Sequence, residues 1–264
     1  MPSRATAPPT DAPDQADARF GARAVLAGLA ILLAAVPFSL LLFLVQDRWR
    51  PLLHVDDGAR DSLHGFAVHH QAFVTVMKTL STIGSAPVYL VFFAVIAAWL
   101  AWRRLPRLAA FVVVTMLGSS ALNTLVKLAV DRARPVVPDP VAHANGMSFP
   151  SGHAQSAMVA FSVLLLVFLP VLRGAWRWVA VAVAGAMVLG IGFSRVALGV
   201  HYVSDVLAGY VLGAAWVAAM TAAFSAWRRE RGHGGVDPTE GLEPAHRDRL
   251  TPGPGRDAPA SRSG

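Results

Sequence analysis

The residues best able to do chemistry in this chain stand in S-R-V-A-L-G-V-H-Y-V-S-D, from Ser194 to Asp205, where Arg195, His201 and Asp205 adjoin a membrane-length apolar run. Ionisable groups in such a place are costly and need a reason. His201 and Asp205 are four apart, so on a helix they share a face and the carboxylate can accept a hydrogen bond from one imidazole nitrogen. The other nitrogen is then free as a nucleophile. Arg195 precedes His201 by six positions, about 240° around an ideal helix, so the three side chains converge only if the helix breaks between them. Gly199 is the natural breaker. A helix restarting near His201 points backbone N–H groups and its positive dipole end toward Arg195, an arrangement suited to phosphate. The plainer alternative is a snorkelling arginine and a core histidine satisfied by Asp205.

Two further stretches carry the same kind of chemistry. In K-L-A-V-D-R-A-R-P, Lys127 and Arg134 are seven apart and share a helix face if the helix continues that far, with Pro135 stopping it. Lys127 lies in apolar sequence, where a cation either snorkels or meets an anion. In F-P-S-G-H, Ser151 can cap a helix, Gly152 lets a ligand approach the backbone, and His153 sits in the first turn. A simple cap with an incidental histidine reads this motif equally well in isolation.

The elements that must position these residues are membrane spans. With 55% hydrophobic and 15% charged residues, arranged in long apolar runs, the chain is too apolar for an ordinary soluble domain. The net charge of +7 does not point to nucleic acid, because Arg and Lys cluster in turns and tails instead of interleaving with exposed aromatics. The lack of cysteine excludes disulfides, thiolate metal sites and a thiol nucleophile. Expected spans run over Ala24–Gln46, Gly84–Trp102, Leu108–Val130, Ser151–Leu172, Trp178–Arg195 and His201–Trp227. The expected fold is therefore all-α: a six-span transmembrane helical bundle over residues 21–227, flanked by disordered tails at 1–20 and 228–264.

Between Asp47 and Ile83, Phe66, Phe73, Met77 and Leu80 recur at helical spacing, which predicts an additional amphipathic helix at the extracytoplasmic interface. Asp57, Asp61 and His64, with His69 and His70 nearby, form a conceivable metal cluster, but solvated carboxylates in a polar segment read them more simply, and no metal site is assigned. The segment from Asp131 to Phe149, with Pro135, Pro138 and Pro140, is a loop.

The tails, the adjoining Arg23 and the turns at 103–107 and 173–177 hold 15 of the 23 Lys and Arg residues, so that face is expected to be cytoplasmic. All three motifs then gather on the extracytoplasmic face of a cell membrane. Three motifs separated by long apolar runs reaching one face is not an arrangement that cap, snorkelling and core readings explain together.

K-x6-R-P at Lys127 to Pro135, P-S-G-H at Pro150 to His153 and S-R-x5-H-x3-D at Ser194 to Asp205 together resemble the three signature motifs of the type 2 phosphatidic acid phosphatase superfamily. All three are complete, and the six expected spans resemble its membrane branch. The resemblance implies that Lys127, Arg134 and Arg195 clamp phosphate oxygens, with Ser151 and Gly152 adding hydroxyl and backbone donors. It further implies that His201 attacks phosphorus, that Asp205 fixes its tautomer, and that His153 protonates the leaving group. No cofactor or metal is implied. The expected partners are a lipid phosphate or diphosphate, phosphatidate-like or polyprenyl, and membrane lipids, with no nucleic acid. A non-catalytic carrier of an anionic lipid is the alternative of a different class; it needs cations but no nucleophile-and-acid pair. A haloperoxidase, whose vanadate sits in a related clamp, fits the spans poorly.

Overall fold

The computed structural model describes residues 35–230, and every regular element among them is helical. In chain order these are α1 (Ala35–Gln46), α2 (Arg50–Ala67), α3 (Gln71–Ile83), α4 (Ala86–Trp102), α5 (Pro106–Val130), α6 (Gly152–Phe168), α7 (Ala175–Ala197) and α8 (Val203–Glu230), with one 3-10 turn at Leu169–Val171. Prolines open α2, α4 and α5 in the first turn, where a missing N–H costs nothing. The chain stops α5 at Asp131, whose φ of 47° is left-handed, and stops α7 just before Gly199, with φ of 69°.

α5, α6 with its 3-10 turn, α7 and α8 are each long and apolar enough to cross a membrane. Much of their surface is apolar and faces outward: Leu117, Leu125, Leu128, Leu189 and Val183 are all more than half exposed. Water would not tolerate so continuous an apolar exterior, whereas lipid tails would. α3 and α4 meet at a bend of 44° and pass the same test only as a pair, giving four spans, or five if the pair counts as one. The expected span at Gly84–Trp102 is thus α4, which is short by itself. The first expected span lies partly outside the described residues, and its described part is the short helix α1. The tail at 1–20 also lies outside them, as does all of the C-terminal tail beyond Glu230; α8 continues to that residue, past the expected end at Trp227.

The stretch expected to hold one amphipathic helix holds two. The chain turns at residues 68–70, leaving Phe66 at the end of α2 and Phe73, Met77 and Leu80 on α3. Met77 is buried and Leu80 packs with Ala197 and Leu198, so the apolar edge of α3 is covered by α7.

α6 sits at the centre, packed against α5, α7 and α8. Its contact with α8 is close because α8 presents glycine at two positions four apart. A Cβ on Gly209 would stand 2.6 Å from the Ser151 carbonyl oxygen, and one on Gly213 would stand 2.9 Å from that of Gln155. Farther along, Tyr89, Phe93, Leu100, Phe111, Val159, Val163 and Val217 fill the core. Below the outer turns, Asn123 donates to Gln155 at 2.6 Å and Gln155 donates to Ser119, which ties α5 to α6 inside the bundle. Alternating helix directions bring the end of α5, the start of α6, the end of α7 and the start of α8 to one end.

Replacing Gly209 by Val should force α8 away from α6 and destabilise the detergent-solubilised protein by about 1–3 kcal/mol, seen as a lowered melting temperature. Gly65→Ala, where a Cβ meets open space, should change stability by no more than about 0.5 kcal/mol in the unfavourable direction. Equal stability of Gly209→Val and the parent chain would show that the glycine contact does not set the α6–α8 distance.

Candidate active site

The break between α7 and α8 creates the site. Leu198 to Tyr202 separate the helices, and the left-handed turn at Gly199 folds the chain so that the N–H groups of Val200 and His201 both donate to the Arg195 carbonyl, at 3.1 and 3.2 Å. Arg195 and His201 therefore lie close although a continuous helix would splay them apart. The same break alters the expected geometry of His201 and Asp205. They are not stacked on a helix: His201 precedes α8 and Asp205 lies in its first turn, because the helix begins only at Val203. Asp205 Oδ2 accepts the Tyr202 N–H at 2.9 Å, a carboxylate cap, and lies 3.4 Å from His201 Nδ1.

The other face of the His201 ring fixes its tautomer. Arg134 Nη1 stands 3.1 Å from Nε2, and a guanidinium can only donate, so Nε2 is the acceptor and the proton resides on Nδ1, facing Asp205. Burial pushes the His201 imidazole down to about 4; Asp205 opposes that shift, and Arg134 and Arg195 reinforce it. His201 is thus neutral near pH 7, with a lone pair on Nε2.

Three cations gather at this end of the bundle, Arg134 directly against Nε2. Lys127, in the last turn of α5, donates to the Met147 carbonyl at 2.7 Å. Arg134 does not share a helix face with it as expected, because α5 ends at Val130; Arg134 instead reaches in from the Pro-rich loop. Its guanidinium is held by three carbonyls, of Asn145, Gly146 and Val200, at 2.8 to 3.0 Å. Burial holds Arg134 below the ordinary arginine value, with Asp205 opposing. Arg195, 7% exposed in the last turn of α7, bonds Ser81 of α3 through Nη1, and its Nε has no partner. None of the three is ion-paired with a carboxylate among the described residues.

α6 supplies the uncharged groups. Ser151 occupies the N-cap position, but its hydroxyl does not cap the helix as expected; it is buried and without a hydrogen-bond partner among the described residues, while its N–H donates to the Asp205 carbonyl at 2.9 Å. Gly152 begins the helix, and a Cβ there would stand 3.2 Å from Asn123 Oδ1. His153, in the first turn, is half-buried and within electrostatic reach of Arg195, His201, Arg134 and Lys127. All eight residues singled out by motif thus lie at one end of the bundle.

Other sequence candidates are engaged elsewhere. Asp57 and Asp61 pair with Arg60, and His64 Nε2 donates to the Pro138 carbonyl at 2.6 Å, tying the Pro-rich loop to α2. His69 and His70 bond backbone carbonyls of Gly65 and Phe66. Four residues of the site went unnoticed in the sequence. Ser148 donates to Asp205 Oδ2 at 2.5 Å, and Arg132 donates to Asp205 Oδ1 at 2.7 Å and to Asp56 at 2.9 Å. Ser204 joins the same group through its N–H and hydroxyl, both donated to Asp56. The only local signal was the first arginine in D-R-A-R-P, Arg132; nothing in the sequence connects it to Asp56, far upstream.

Residues 108–229 match the PAP2 superfamily. The chain is 40% identical over 95 residues to phosphatidylglycerophosphatase B of Bacillus subtilis, a stretch covering 35% of this chain and 46% of that protein. It is 34% identical over 125 residues to lipid A 1-phosphatase of Rhizobium etli, covering 44% of this chain and 49% of that protein. It spans about half the length of these curated relatives. In fold it is similar to the crystal structure of a transmembrane PAP2 type phosphatidylglycerolphosphate phosphatase from Bacillus subtilis, with a TM-score of 0.65 and 24% identity, covering 72% of this chain and 94% of that one. An all-helical membrane bundle, three complete motifs meeting at its one end and the match over residues 108–229 identify that stretch as a PAP2 superfamily domain, that of the type 2 phosphatidic acid phosphatases.

Proposed function

We propose that this protein is an integral-membrane phosphatase that hydrolyses a lipid phosphate or diphosphate through a phosphohistidine intermediate. The observation that carries the reading is charge: three partly buried cations without carboxylate partners among the described residues gather where a neutral imidazole stands, one of them, Arg134, against its lone pair. Buried charge without a counter-charge is costly, and a phosphate group would relieve it. The relatives named as phosphatases of phosphatidylglycerophosphate and lipid A support a lipid substrate. So does an apolar cavity of about 480 Å³ between α4 and α5, lined by Tyr89, Leu90, Phe93, Met116 and Leu117 and reaching Ser156, one helical turn from His153. A hydrocarbon chain fits such a lining.

In this reading the phosphate oxygens are held by Lys127, Arg134, Arg195, the free Ser151 hydroxyl and backbone N–H groups at the start of α6. Phosphate entry draws Arg134 from His201 Nε2, which attacks phosphorus as the bond to the leaving oxygen breaks. His153 donates the proton that the leaving oxygen requires. The imidazole becomes positive, and Asp205 stabilises it through Nδ1–H. His153, now neutral, takes a proton from water; the hydroxide adds to phosphorus, the P–N bond breaks and orthophosphate leaves. A carrier would need the cations alone; the His201–Asp205 pair and the unengaged His153 favour hydrolysis.

Replacing His201 by Ala should abolish turnover and covalent labelling by a phosphorus-labelled lipid phosphate, whereas His153→Ala should slow reaction by about 10²–10⁴-fold, most for poor leaving groups. Label mapped to His153 would exchange the roles, and an active His201→Ala protein would sink the mechanism. Because the three cations supply the charge that a metal would otherwise bring, chelator should leave turnover intact; loss restored by magnesium would indicate a metal-assisted reaction.

The proposal extends to topology. Counting the expected span at Ala24–Gln46, which begins outside the described residues, and α3 with α4 as one bent span makes six spans, leaves α2 as the interfacial helix and puts both tails in the cytoplasm of a cell whose plasma membrane holds the protein. The site then opens on the extracytoplasmic face. Since the chain has no cysteine, an impermeant thiol reagent on intact cells should label His143→Cys, exposed on the Pro-rich loop, and spare Arg103→Cys. The opposite pattern would reverse the orientation.

A further inference from the structure

Arg132 is a further cation at this end of the bundle, and its circumstances differ from those of Lys127, Arg134 and Arg195. Its side chain is 12% exposed, and its two terminal nitrogens grip two fully buried carboxylates from different helices: Nη2 holds Asp56 of α2 at 2.9 Å and Nη1 holds Asp205 of α8 at 2.7 Å. Its guanidinium lies 4.3 Å over the Tyr202 ring. Asp56 is fixed in turn by the Ser204 N–H at 2.9 Å and the Ser204 hydroxyl at 2.5 Å, and that hydroxyl accepts from Arg132 at 2.7 Å. Every polar atom of the two carboxylates and the guanidinium fork that these contacts use is thereby committed.

Two consequences follow for Asp205. With Oδ1 occupied by Arg132, Oδ2 is turned to Ser148, the Tyr202 N–H and His201 Nδ1. The group Asp56–Arg132–Asp205 also carries one net negative charge. Without Asp56, the guanidinium would cancel Asp205 and leave nothing to offset the charge that His201 acquires on phosphorylation.

We propose that Arg132 and Asp56 are positioning residues for His201: the Asp56–Arg132 pair, anchored on α2, holds Asp205 in the rotamer that keeps the histidine proton on Nδ1, and preserves the net negative charge beside it. Neither residue needs to touch the substrate. The inference rests on His201 as nucleophile, and its test is arranged so that the two stand or fall separately.

The purified full chain is assayed on dioctanoyl phosphatidate micelles, with wild-type turnover reporting on the nucleophile reading and variant-to-wild-type ratios reporting on this one. Asp56→Asn and Arg132→Gln should each lower kcat by about tenfold or more while KM changes by less than about threefold, and the double variant should be no slower than Arg132→Gln. Arg132→Lys keeps a charge and so guards the fold, but a single ammonium cannot reproduce the fork; it should show the same pattern with a smaller loss. A second readout needs no turnover: in protein labelled with nitrogen-15 at histidine and saturated with orthophosphate, which draws Arg134 from Nε2, His201 should hold its proton on Nδ1 in the wild type and shift toward a mixture of tautomers in Arg132→Gln and Arg132→Lys. A loss confined to KM would make Arg132 a phosphate contact and overturn the proposal. So would wild-type kcat in Asp56→Asn, multiplicative losses in the double variant, or an unchanged His201 tautomer.

Discussion

Positive charge at the rim of an apolar bundle is the constraint around which this structure is arranged. Lys127, Arg134 and Arg195 cannot stand in a low-dielectric setting without partners, yet pairing them with carboxylates would cancel the charge that the proposed phosphate would meet. The solution is backbone. Four carbonyls, of Asn145, Gly146, Met147 and Val200, accept from Lys127 and Arg134, and a hydroxyl meets Arg195. Carbonyl dipoles solvate a cation without removing its charge. This explains why the long connection between α5 and α6 is not helical: in a helix those oxygens would be bonded internally and turned along the axis. It also explains why the loop is rich in proline, which lacks an N–H that would compete for the same acceptors.

The second requirement is that groups from separate helices keep a fixed register. The Ser151 N–H donated to the Asp205 carbonyl couples the start of α6 directly to the start of α8, and the glycines at 209 and 213 permit that approach. Asn123 and Gln155 do the same between α5 and α6, a turn below Lys127 and Ser151. Inside a membrane, where apolar packing distinguishes poorly between neighbouring registers, such polar ties and small-residue contacts define which helix faces meet.

Much of this was legible in the sequence for identifiable reasons. Apolar runs of membrane length give α5 to α8 within a few residues, because nothing in lipid competes with helix for satisfying the backbone. The break at Gly199 was readable because only a glycine follows the last charged residue of α7 at the right distance. What sequence could not convey was where helices start. Starting α8 at Val203 moved His201 off the helix, ending α5 at Val130 moved Arg134 into a loop, and the free Ser151 hydroxyl departs from the capping habit of serine. Buried pairs between remote segments were equally invisible: Asp56 sits beside Asp57 in a polar stretch, and only the folded bundle reveals that one faces Arg132 while the other pairs with Arg60 on the same helix.

That hidden pair bears on where the working unit begins. The superfamily match starts at residue 108, yet Asp56, His64 and Ser81, all upstream of it, reach respectively Arg132, the Pro138 carbonyl and Arg195. The helices before the matched region are therefore an outer layer that finishes the electrostatics of a site whose motifs lie entirely in the inner one. Such a division allows the motif-bearing core to stay the same between relatives while the layer around it is exchanged. A chimera that joined this chain's matched stretch to the leading helices of another protein would carry every signature residue and yet lose the contacts that Asp56, His64 and Ser81 make with it.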